Sequence, residues 1–592
     1  MQIHRLVLIV ACGLASSGLA VADPDSSWPM YNKSYNGQRF SNLADINTQT
    51  VASLHELCHV EIAPGGSFEA GLVMLDGVLY ATAEQETIAI DARDCSIRWR
   101  SSYVPEEDVF AKMSRGVAFY DGKIFRGTAD AHVLALDAKS GGIQWDDTVG
   151  DWRPGESVTG APLAWNGLVF TGISGGELGI KGRITAIDAL SGREVWRFNT
   201  IPTGKEVGAE SWKIPGTASH GGGGSWSHFA LDPITAELFV PVGNPAPDFD
   251  IRSRPGSNLF TNSVVVLDAR TGALKWWFQV GPGDSFDYDL SAAPILYRDS
   301  AENDVIAVAG KDGYLRAIDR ATHALRFKTA VTTIESARQK PDETSVHLCP
   351  GAGGGVLWNG PAYDASRRRL FVGAVDWCGR YTVVPMAYKT GELYFAGHFD
   401  VDRSASGWVT AIDSDTGAVK WRFHADAPVM AGVTATAGGL VMTGDSAGNF
   451  LALDSSSGAL LKKMATGGAM AGGVITYGIK DRQYVAVTAG SVSRTAFGAL
   501  GKPTVMIMTI EYADLLTPSG AADRGRVLYS RNCIACHGVS GAAVNNHDLH
   551  GVTRVHVIET LKAPKLPMPK MFPGLLDEQD LADLAEYLAS FK

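Results

Sequence analysis

The stretch VVLDARTGALKW, residues 265–276, combines an apolar run, an aspartate, a turn with glycine and a closing aromatic residue. Six variants recur along the chain, from IAIDARDCSIRW at 88–99 to LALDSSSGALLK at 451–462. β-Branched and aromatic residues on both sides of a tight turn predict two short strands joined as a hairpin. Repeats of this length, each containing such a hairpin, predict the blades of a β-propeller. The repeat aspartates are Asp91, Asp137, Asp188, Asp268, Asp319, Asp413 and Asp454.

The spacing of these aspartates sets the predicted number of blades. Asp319 and Asp413 are 94 residues apart, about two units, and PAYDASRRRLFVGAVDW at 361–377 supplies the missing hairpin. The 80 residues from Asp188 to Asp268 predict one blade with long insertions. We therefore predict an all-β eight-bladed propeller over residues 23–512. Its recurring tryptophans are expected to pack blade against blade rather than bind a ligand: Trp99, Trp145, Trp196, Trp276 and Trp421.

The N-terminus MQIHRLVLIVACGLASSGLAVA has a basic start, an apolar run and a small-residue triplet ending at Ala22. These features predict a secretory signal peptide over residues 1–22, and hence a periplasmic protein. No later segment resembles a transmembrane helix, so we expect no membrane span. The formal charge of −11 argues against a nucleic-acid partner.

Four cysteines of the predicted propeller are expected to form two disulfides, because the chain is predicted to be exported. They are Cys58, Cys95, Cys349 and Cys378. Four cysteines allow three pairings. Proximity in sequence favours Cys58–Cys95 and Cys349–Cys378.

The pattern of the sequence changes after Tyr512. Residues 513–521 are a predicted linker, and residues 522–592 have apolar residues at helical spacing. This small all-α domain contains CIACH at 533–537, which is typical of c-type haem attachment. Cys533 and Cys536 would carry the thioether bonds, and His537 would be one axial ligand of the iron. Met568 in a Met-Pro turn is the favoured opposite ligand, with Met571 as the alternative. The domain is thus interpreted as a cytochrome c domain with haem c.

The whole layout resembles the pyrroloquinoline-quinone (PQQ) alcohol dehydrogenases, in particular soluble quinohaemoproteins with a C-terminal cytochrome c domain. The segment WPMYNKSYNGQRFSNLADINTQTVASL at 28–54 is similar to the N-terminal segment of that family. The resemblance implies that the quinone stacks on a tryptophan in the central channel with a metal at its polar edge. HGGGGSWSHFALDP at 220–233 matches the stacking segment, which makes Trp226 the floor under the quinone.

The resemblance also implies a metal site and a catalytic base. TGISGGELGIKG at 171–182 and PVGNPAPDFD at 241–250 match the metal-binding loops, giving Glu177 and Asn244 as ligands. In DSFDYDLS at 284–291, Asp287 matches the catalytic aspartate, which also binds the metal. Asp289 occupies the position of an extra metal-binding aspartate in lanthanide-using relatives, so a lanthanide is favoured over calcium. Two carboxylates two residues apart in extended chain share a face and require a positive partner.

Other quinone contacts follow from the same resemblance: Glu69, Arg115, Thr159, Ser174 and Lys311. Cationic and hydroxyl donors suit a tricarboxylate quinone. The chain departs from the family where FAKMSRG lacks the adjacent cysteines that often cover the quinone, and where Leu357 precedes Trp358. These departures touch the channel walls.

These features together predict oxidation of an alcohol substrate, with electrons passing to PQQ, then haem c, then an external cytochrome c or small copper redox protein. One alternative is a haem-bearing propeller that relays electrons or binds partners without dehydrogenase activity. Another is a haem reductase of the nitrite-reductase type. The clustered Glu177, Asn244 and Asp287 argue against both.

Overall fold

The structure, a computed structural model, describes residues 26–62, 67–106, 109–335, 345–492, 500–511, 520–533, 537, 549–565, 568 and 570–591. The predicted signal peptide, Cys536 and nearly all of the predicted linker lie outside these residues. In the described part, no helix is both long and apolar enough to cross a membrane.

Eight antiparallel sheets of four strands each confirm the predicted propeller. In each sheet we give the strands in order from the inner edge. Blades 1–4 are formed by Val73–Leu75, Val78–Thr82, Glu86–Asp91 and Ile97–Ser102; by Val117–Tyr120, Lys123–Gly127, His132–Asp137 and Ile143–Thr148; by Leu163–Trp165, Leu168–Gly172, Arg183–Asp188 and Glu194–Asn199; and by Ala230–Asp232, Glu237–Pro241, Ser263–Asp268 and Leu274–Gln279.

Blades 5–8 complete the ring. They are formed by Ile295–Arg298, Asp304–Ala309, Tyr314–Asp319 and Leu325–Ala330; by Ala362–Asp364, Arg369–Asp376, Ser406–Asp413 and Val419–Ala425; by Thr434–Thr436, Leu440–Gly444, Asn449–Asp454 and Leu460–Ala465; and by Val474–Ile479, Arg482–Ala489, Thr504–Thr509 and His55–Glu61. A short strand, Phe40–Ser41, adds in parallel to the innermost strand of blade 7.

The predicted location of the eighth blade is wrong, although the number is right. The hairpin at 361–377 supplies the two inner strands of blade 6, whose third strand ends at Asp413, so the described residues between Asp319 and Asp413 form no additional blade. The eighth blade instead joins the chain ends: Glu61 pairs with Thr504. Its outermost strand comes from the N-terminal region, so no Asp-Gly-aromatic hairpin marks this blade. The excess length instead forms a separate three-stranded sheet: Ser345–Leu348 lies between blades 5 and 6, and Gly379–Val383 and Gly397–Val401 lie between the second and third strands of blade 6.

The repeated aspartates and tryptophans stabilise each blade and join it to the next. The carboxylate of Asp137 accepts hydrogen bonds from the backbone N–H groups of Lys139 and Ser140, which closes the outer turn. The indole N–H of Trp99 in blade 1 donates to the carbonyl of Ala138 in blade 2, 3.0 Å away. Trp145, Trp196 and Trp421 make the equivalent bond to the next blade. The tryptophans therefore join neighbouring blades, as predicted.

The insertions and the N-terminal segment carry short 3₁₀ helices at Val51–Ser53, Gly176–Leu178, Ala209–Ser211, Thr217–His220 and Ile251–Ser253. The structure contains the disulfides Cys58–Cys95 and Cys349–Cys378, the pairings favoured by sequence proximity. The first joins blade 8 to blade 1, and the second lies at the edge of the three-stranded sheet.

The small C-terminal domain is α-helical, with α1 at Ala521–Asn532, α2 at Arg554–Lys562 and α3 at Glu578–Leu588. Helices α1 and α3 cross closely at Gly525, where an added Cβ would lie 1.9 Å from the carbonyl oxygen of Asp583. Arg524 forms an ion pair with the buried Asp583 carboxylate across the same crossing. The Asp577 side chain caps α3 in a reciprocal capping box with Asp580.

Candidate functional site

A cavity of about 670 Å³ gathers most of the residues predicted from the sequence. Many of its lining residues occupy the same structural position, the segment that leads into the innermost strand of a blade. Arg115 precedes blade 2, Thr159 blade 3, Trp226 blade 4 and Asp287 blade 5. Because the innermost strands of a propeller surround its central channel, these segments bring side chains distant in sequence to one place. Ser174, Glu177 and Lys311 complete the predicted residues in the wall.

The two aspartates of the Asp-Tyr-Asp segment meet at one lysine. Lys311 Nζ lies 3.1 Å from Asp287 Oδ1 and 2.6 Å from Asp289 Oδ2. The positive partner predicted for the two carboxylates is thus present, but the carboxylates do not converge in the predicted way. Asp287 has a φ of 59°, so the segment is not a regular extended strand, and the carboxylates converge through a left-handed residue instead. Such a conformation costs energy at a non-glycine residue and persists only where the surrounding structure holds it.

The electrostatics of this group follow from burial and crowding. Burial raises the pKa of Asp287 well above its usual value; Lys311 opposes this shift, and the charges of Asp289 and Glu177 add to it. Burial alone would lower the pKa of Lys311, but the same three carboxylates outweigh it and raise that pKa. The site therefore favours binding of positive charge.

A glycine lets the loop of Asn244 approach Asp289. A Cβ added at Gly243 would lie 2.3 Å from Asp289 Oδ1, so this position tolerates no side chain without displacement of the carboxylate. The backbone N–H of Asn244 donates to the same oxygen at 2.9 Å. Asn244 and Asp289 are both buried, with 4% and 2% of their surface exposed. The two predicted ligands thus belong to one hydrogen-bonded unit.

Arg115 organises the opposite side of the cavity. Its guanidinium forms an ion pair with the fully buried Glu69 at 2.8 Å and donates to Thr159 Oγ1 at 2.9 Å. The hydroxyls of Thr159 and Ser174 are 2.7 Å apart. The Arg115 guanidinium carbon also lies 4.9 Å from the ring centre of Trp226 and 4.7 Å from that of Trp358. A cation and two hydroxyls therefore surround an aromatic face.

The remaining walls are largely apolar and aromatic. Phe110 and Met113 occupy the region where the family often carries adjacent cysteines. Trp377 and Phe399 line the cavity from the insertion between the second and third strands of blade 6, which supplies two strands of the three-stranded sheet. Apolar walls exclude water and strengthen the charged interactions inside.

Sequence reasoning missed two buried acids beside the site. The Asp284 carboxylate accepts from the backbone N–H of Tyr288 and so holds the Asp-Tyr-Asp segment, and burial raises its pKa to about 6. Asp248 follows Asn244 by four residues and has no exposed surface; burial raises its pKa well above the usual value, and the charges of Asp287 and Glu177 add to this shift. The signal was available in PVGNPAPDFD, where an acid interrupts an apolar loop, but its burial was not readable from the sequence.

Part of the predicted haem site is described. Cys533 is buried beside α1 and His537 follows it, whereas Cys536 lies outside the described residues. Met571 is buried in an apolar cluster with Tyr529, Leu561 and Leu584, and Met568 packs against the same cluster while partly exposed. The ligand preference between the two methionines therefore stays a prediction.

The residues fit the groups that the sequence suggests. A flat quinone needs an open aromatic face with cations and hydroxyls at its rim, which Trp226, Arg115 and Thr159 supply. A hard cation needs oxygen donors. Glu177 and Asp287 line the cavity, and the buried Asp289 is joined to Asp287 through Lys311 and to Asn244 by a hydrogen bond. The glycine at 243 leaves room for the Asp289 carboxylate.

Comparisons with known proteins agree with this architecture. Residues 28–325 match the family described as "Glucose/ethanol/alcohol dehydrogenase, beta-propeller domain", and residues 520–588 match "Cytochrome C oxidase, cbb3-type, subunit III". A quinoprotein ethanol dehydrogenase of Pseudomonas putida is 30% identical over 78% of this chain and 85% of that protein. Quinohemoprotein alcohol dehydrogenase ADH-IIG of Pseudomonas putida is 28% identical over 88% of this chain and 84% of that protein.

Solved structures share the fold. A structure of ADH-IIG from Pseudomonas putida HK5 has a TM-score of 0.76 at 25% identity, covering 95% of both chains. A europium-containing methanol dehydrogenase has the same TM-score at 24% identity, covering 83% of this chain and 99% of that one. The propeller with acids and aromatic residues in its channel defines a quinoprotein-type dehydrogenase. The chain belongs to the glucose/ethanol/alcohol dehydrogenase family, with a cytochrome domain at its C-terminus.

Proposed function

We propose that the chain is a periplasmic quinohaemoprotein alcohol dehydrogenase that oxidises a primary or secondary alcohol. The observation that carries the proposal is the convergence of Asp287 and Asp289 on Lys311, inside a cavity that also presents the face of Trp226. The cytochrome domain gives the same chain a route for electrons toward an external cytochrome c or small copper redox protein.

When bound, PQQ accepts the hydride of the alcohol, a metal ion polarises the acceptor carbonyl, and haem c carries the electrons away singly. Trp226 is proposed to floor the quinone site, with Arg115, Thr159 and Ser174 holding its oxygen atoms; Glu69 fixes Arg115 by their ion pair. Asp287 is the proposed base for the hydroxyl proton. Its raised pKa reflects burial among negative charges, and a cation at Glu177 and Asn244 would lower it, so that the carboxylate is ionised when the site is loaded.

A lanthanide is the favoured metal, with calcium as the alternative. Asp289 is buried and faces the same lysine as Asp287, so a cation that takes the place of the lysine there meets two negative charges from this segment alone. Coulomb attraction grows with the charge of the ion, so an additional carboxylate favours a trivalent ion over a divalent one.

The test is alcohol-driven reduction of the protein's own haem. The purified full-length protein is supplied with PQQ and either lanthanum or calcium, and the haem absorption spectrum is followed after addition of an alcohol. We expect reduction that requires both quinone and metal and is faster with lanthanum. Asp287→Asn is expected to slow the reaction by about 10²–10⁴-fold, and Asp289→Ala to remove the preference for lanthanum.

Two results would contradict the proposal. Absence of quinone-dependent haem reduction with a panel of alcohols would overturn the dehydrogenase assignment. Retention of the lanthanum preference in Asp289→Ala would overturn the role of Asp289 while leaving the dehydrogenase assignment intact. Asp304→Asn, at an exposed aspartate that begins the second strand of blade 5, is the control and should behave as the unaltered protein.

A further inference from the structure

Asp248 is a buried acid without a partner among the described residues. Its side chain has no exposed surface, and neither carboxylate oxygen receives a hydrogen bond. An isolated carboxylate in such a position costs several kcal/mol in proteins unless a compensating charge or donor is present. The sequence and the comparisons assign no role to it.

The charges that act on Asp248 belong to the candidate metal centre. Asp287, Glu177 and Asp289 repel it and Lys311 attracts it. The loop that carries Asp248 also carries Asn244, whose backbone N–H is hydrogen-bonded to Asp289. Asp248 is thus linked to the centre by electrostatics and by its own loop.

The nearby cations of the protein are already engaged. Arg254 is fully buried, but its guanidinium donates to the backbone carbonyls of Pro247, Asp248 and Asp284 rather than to the Asp248 carboxylate. Lys311 is shared between Asp287 and Asp289. Within the described part of the chain, the partner that would satisfy Asp248 is therefore not a side chain.

We propose that Asp248 is an additional acidic residue of the cation centre and raises its selectivity for a trivalent ion. If a bound cation keeps Glu177, Asp248, Asp287 and Asp289 ionised while Lys311 stays protonated, the formal charge of these five side chains is −3. A trivalent ion neutralises this charge, whereas a divalent ion leaves one negative charge buried. The inference rests on the proposed cation site at Glu177, Asn244, Asp287 and Asp289.

The test measures binding of Tb³⁺ and Ca²⁺ without reference to activity. The full-length protein with its haem is stripped of metal and titrated with Tb³⁺, whose emission is sensitised by tryptophan, and Ca²⁺ is measured by competition. We expect Asp248→Asn to weaken Tb³⁺ binding roughly 10- to 100-fold, the usual range for residues that support a metal site, and to weaken Ca²⁺ binding less. Equal Tb³⁺ affinity in the variant and the unaltered protein would overturn the proposal.

Thermal unfolding gives a second readout that a merely structural role would not produce. Without metal, burial and the neighbouring carboxylates disfavour the charged form of Asp248, so Asp248→Asn should melt at a temperature no lower than that of the unaltered protein. The further rise on adding Tb³⁺ should be smaller in the variant, because its site binds the ion less tightly. An identical Tb³⁺-induced rise in both proteins would contradict the inference.

Asp250→Asn is the matched control. Asp250 lies in the same loop with 7% exposure, but its carboxylate is paired with the Arg252 side chain at 2.7 Å. The control loses one buried charge and should retain the Tb³⁺ affinity of the unaltered protein. If the unaltered protein itself binds no Tb³⁺, the proposed cation site fails; if it binds and Asp248→Asn binds equally, only the role of Asp248 fails.

Discussion

At the scale of single residues, the centre depends on close approaches that only certain side chains allow. Gly243 leaves room for the Asp289 carboxylate, and Asp284 holds the following segment by backbone hydrogen bonds. The Tyr288 hydroxyl donates to the carbonyl of Pro350 at 2.6 Å, which ties the Asp-Tyr-Asp segment to the insertion after blade 5. The left-handed conformation of Asp287 is maintained by these surrounding contacts.

Gly243→Ala should weaken metal binding, because the new Cβ would displace Asp289 Oδ1 or the loop of Asn244. We expect roughly a 10- to 100-fold loss of Tb³⁺ affinity, measured by sensitised emission. Gly142→Ala is the control, since its added Cβ has no atom closer than 3.5 Å. Unchanged affinity in Gly243→Ala would show that the close approach is not required for binding.

His228 should make the propeller less stable in acid. Burial lowers its pKa from 6.5 to about 4, and Nδ1 lies 3.0 Å from the carbonyl oxygen of Ala161. Between these pH values the unfolded state binds the proton more strongly, so the free energy of unfolding falls as pH is lowered from 6.5 toward 4, by up to about 3 kcal/mol. His228→Gln should reduce this fall in denaturant titrations across that range. Exposed His59→Gln is the control, and an equal reduction in it would contradict the assignment.

At the scale of elements, the repeat could be predicted from the sequence because the same turn and the same contact between blades recur along the chain. Asp137 closes a turn and Trp99 reaches the next blade, and both residues recur at fixed offsets. The eighth blade could not be read in this way, because its outer strand is supplied from residues 55–61 and no repeat motif marks it. The hairpin at 361–377 was assigned to a separate blade since periodicity does not distinguish an insertion from a missing unit.

The candidate site was predictable where family motifs cover it and not elsewhere. Glu177, Trp226 and Asp287 line the cavity as the resemblance implied. Asp248 was missed because its importance lies in its lack of partners, a property of three-dimensional packing. The left-handed φ of Asp287 also has no marker in the sequence.

Trp196→Phe should destabilise the propeller by about 1–2 kcal/mol, because it removes the indole hydrogen bond to Ala269 and part of the packing between blades 3 and 4. The change would be measured by chemical denaturation of the full-length protein. Trp152→Phe serves as the control, since that indole is partly exposed beside Arg153. A similar loss in both variants would argue against the tryptophan as an inter-blade contact.

Gly525→Ala should destabilise the cytochrome domain selectively, because the new Cβ would lie 1.9 Å from the carbonyl oxygen of Asp583. We expect a loss of about 1–3 kcal/mol, typical of overpacking, seen as a lower melting temperature of the haem absorption while the propeller transition stays constant. Gly520→Ala, with no atom within 4 Å of its added Cβ, is the control. Equal melting of Gly525→Ala and the unaltered protein would show that α1 and α3 can separate without cost.

At the scale of the whole molecule, several contacts of the N-terminal segment close the ring of blades where its two ends meet. Strand 55–61 completes blade 8, and Cys58 in that strand is bonded to Cys95 in the outer turn of blade 1. Arg39 is buried and donates to carbonyls at the start of blade 7, Val433, and of blade 8, Val474. The N-terminal segment thus fastens the last two blades to the first.

The double variant Cys58→Ser/Cys95→Ser should lower the stability of the propeller by about 3–4 kcal/mol on the chain-entropy estimate for a loop of this length. The measurement is denaturant unfolding under non-reducing conditions. Cys349→Ser/Cys378→Ser is the comparison: this bond lies at the edge of the three-stranded sheet, so its loss should loosen that sheet locally and affect ring unfolding less. An equal effect of both pairs on global unfolding would contradict a special role at the closure.

Closure by the two ends also dictates when the domain can fold. Glu61 pairs with Thr504, a contact between the beginning and the end of the propeller, so blade 8 cannot form until nearly all of the domain has been synthesised. Until then, strand 55–61, which is synthesised first, has no partner strand and presents an unpaired edge that can capture another chain. The cytochrome helix α1 begins at Ala521, shortly after the last propeller strand ends at Thr509. The strand that allows the ring to close and the first helix of the cytochrome domain are therefore synthesised in close succession, after nearly all of the propeller.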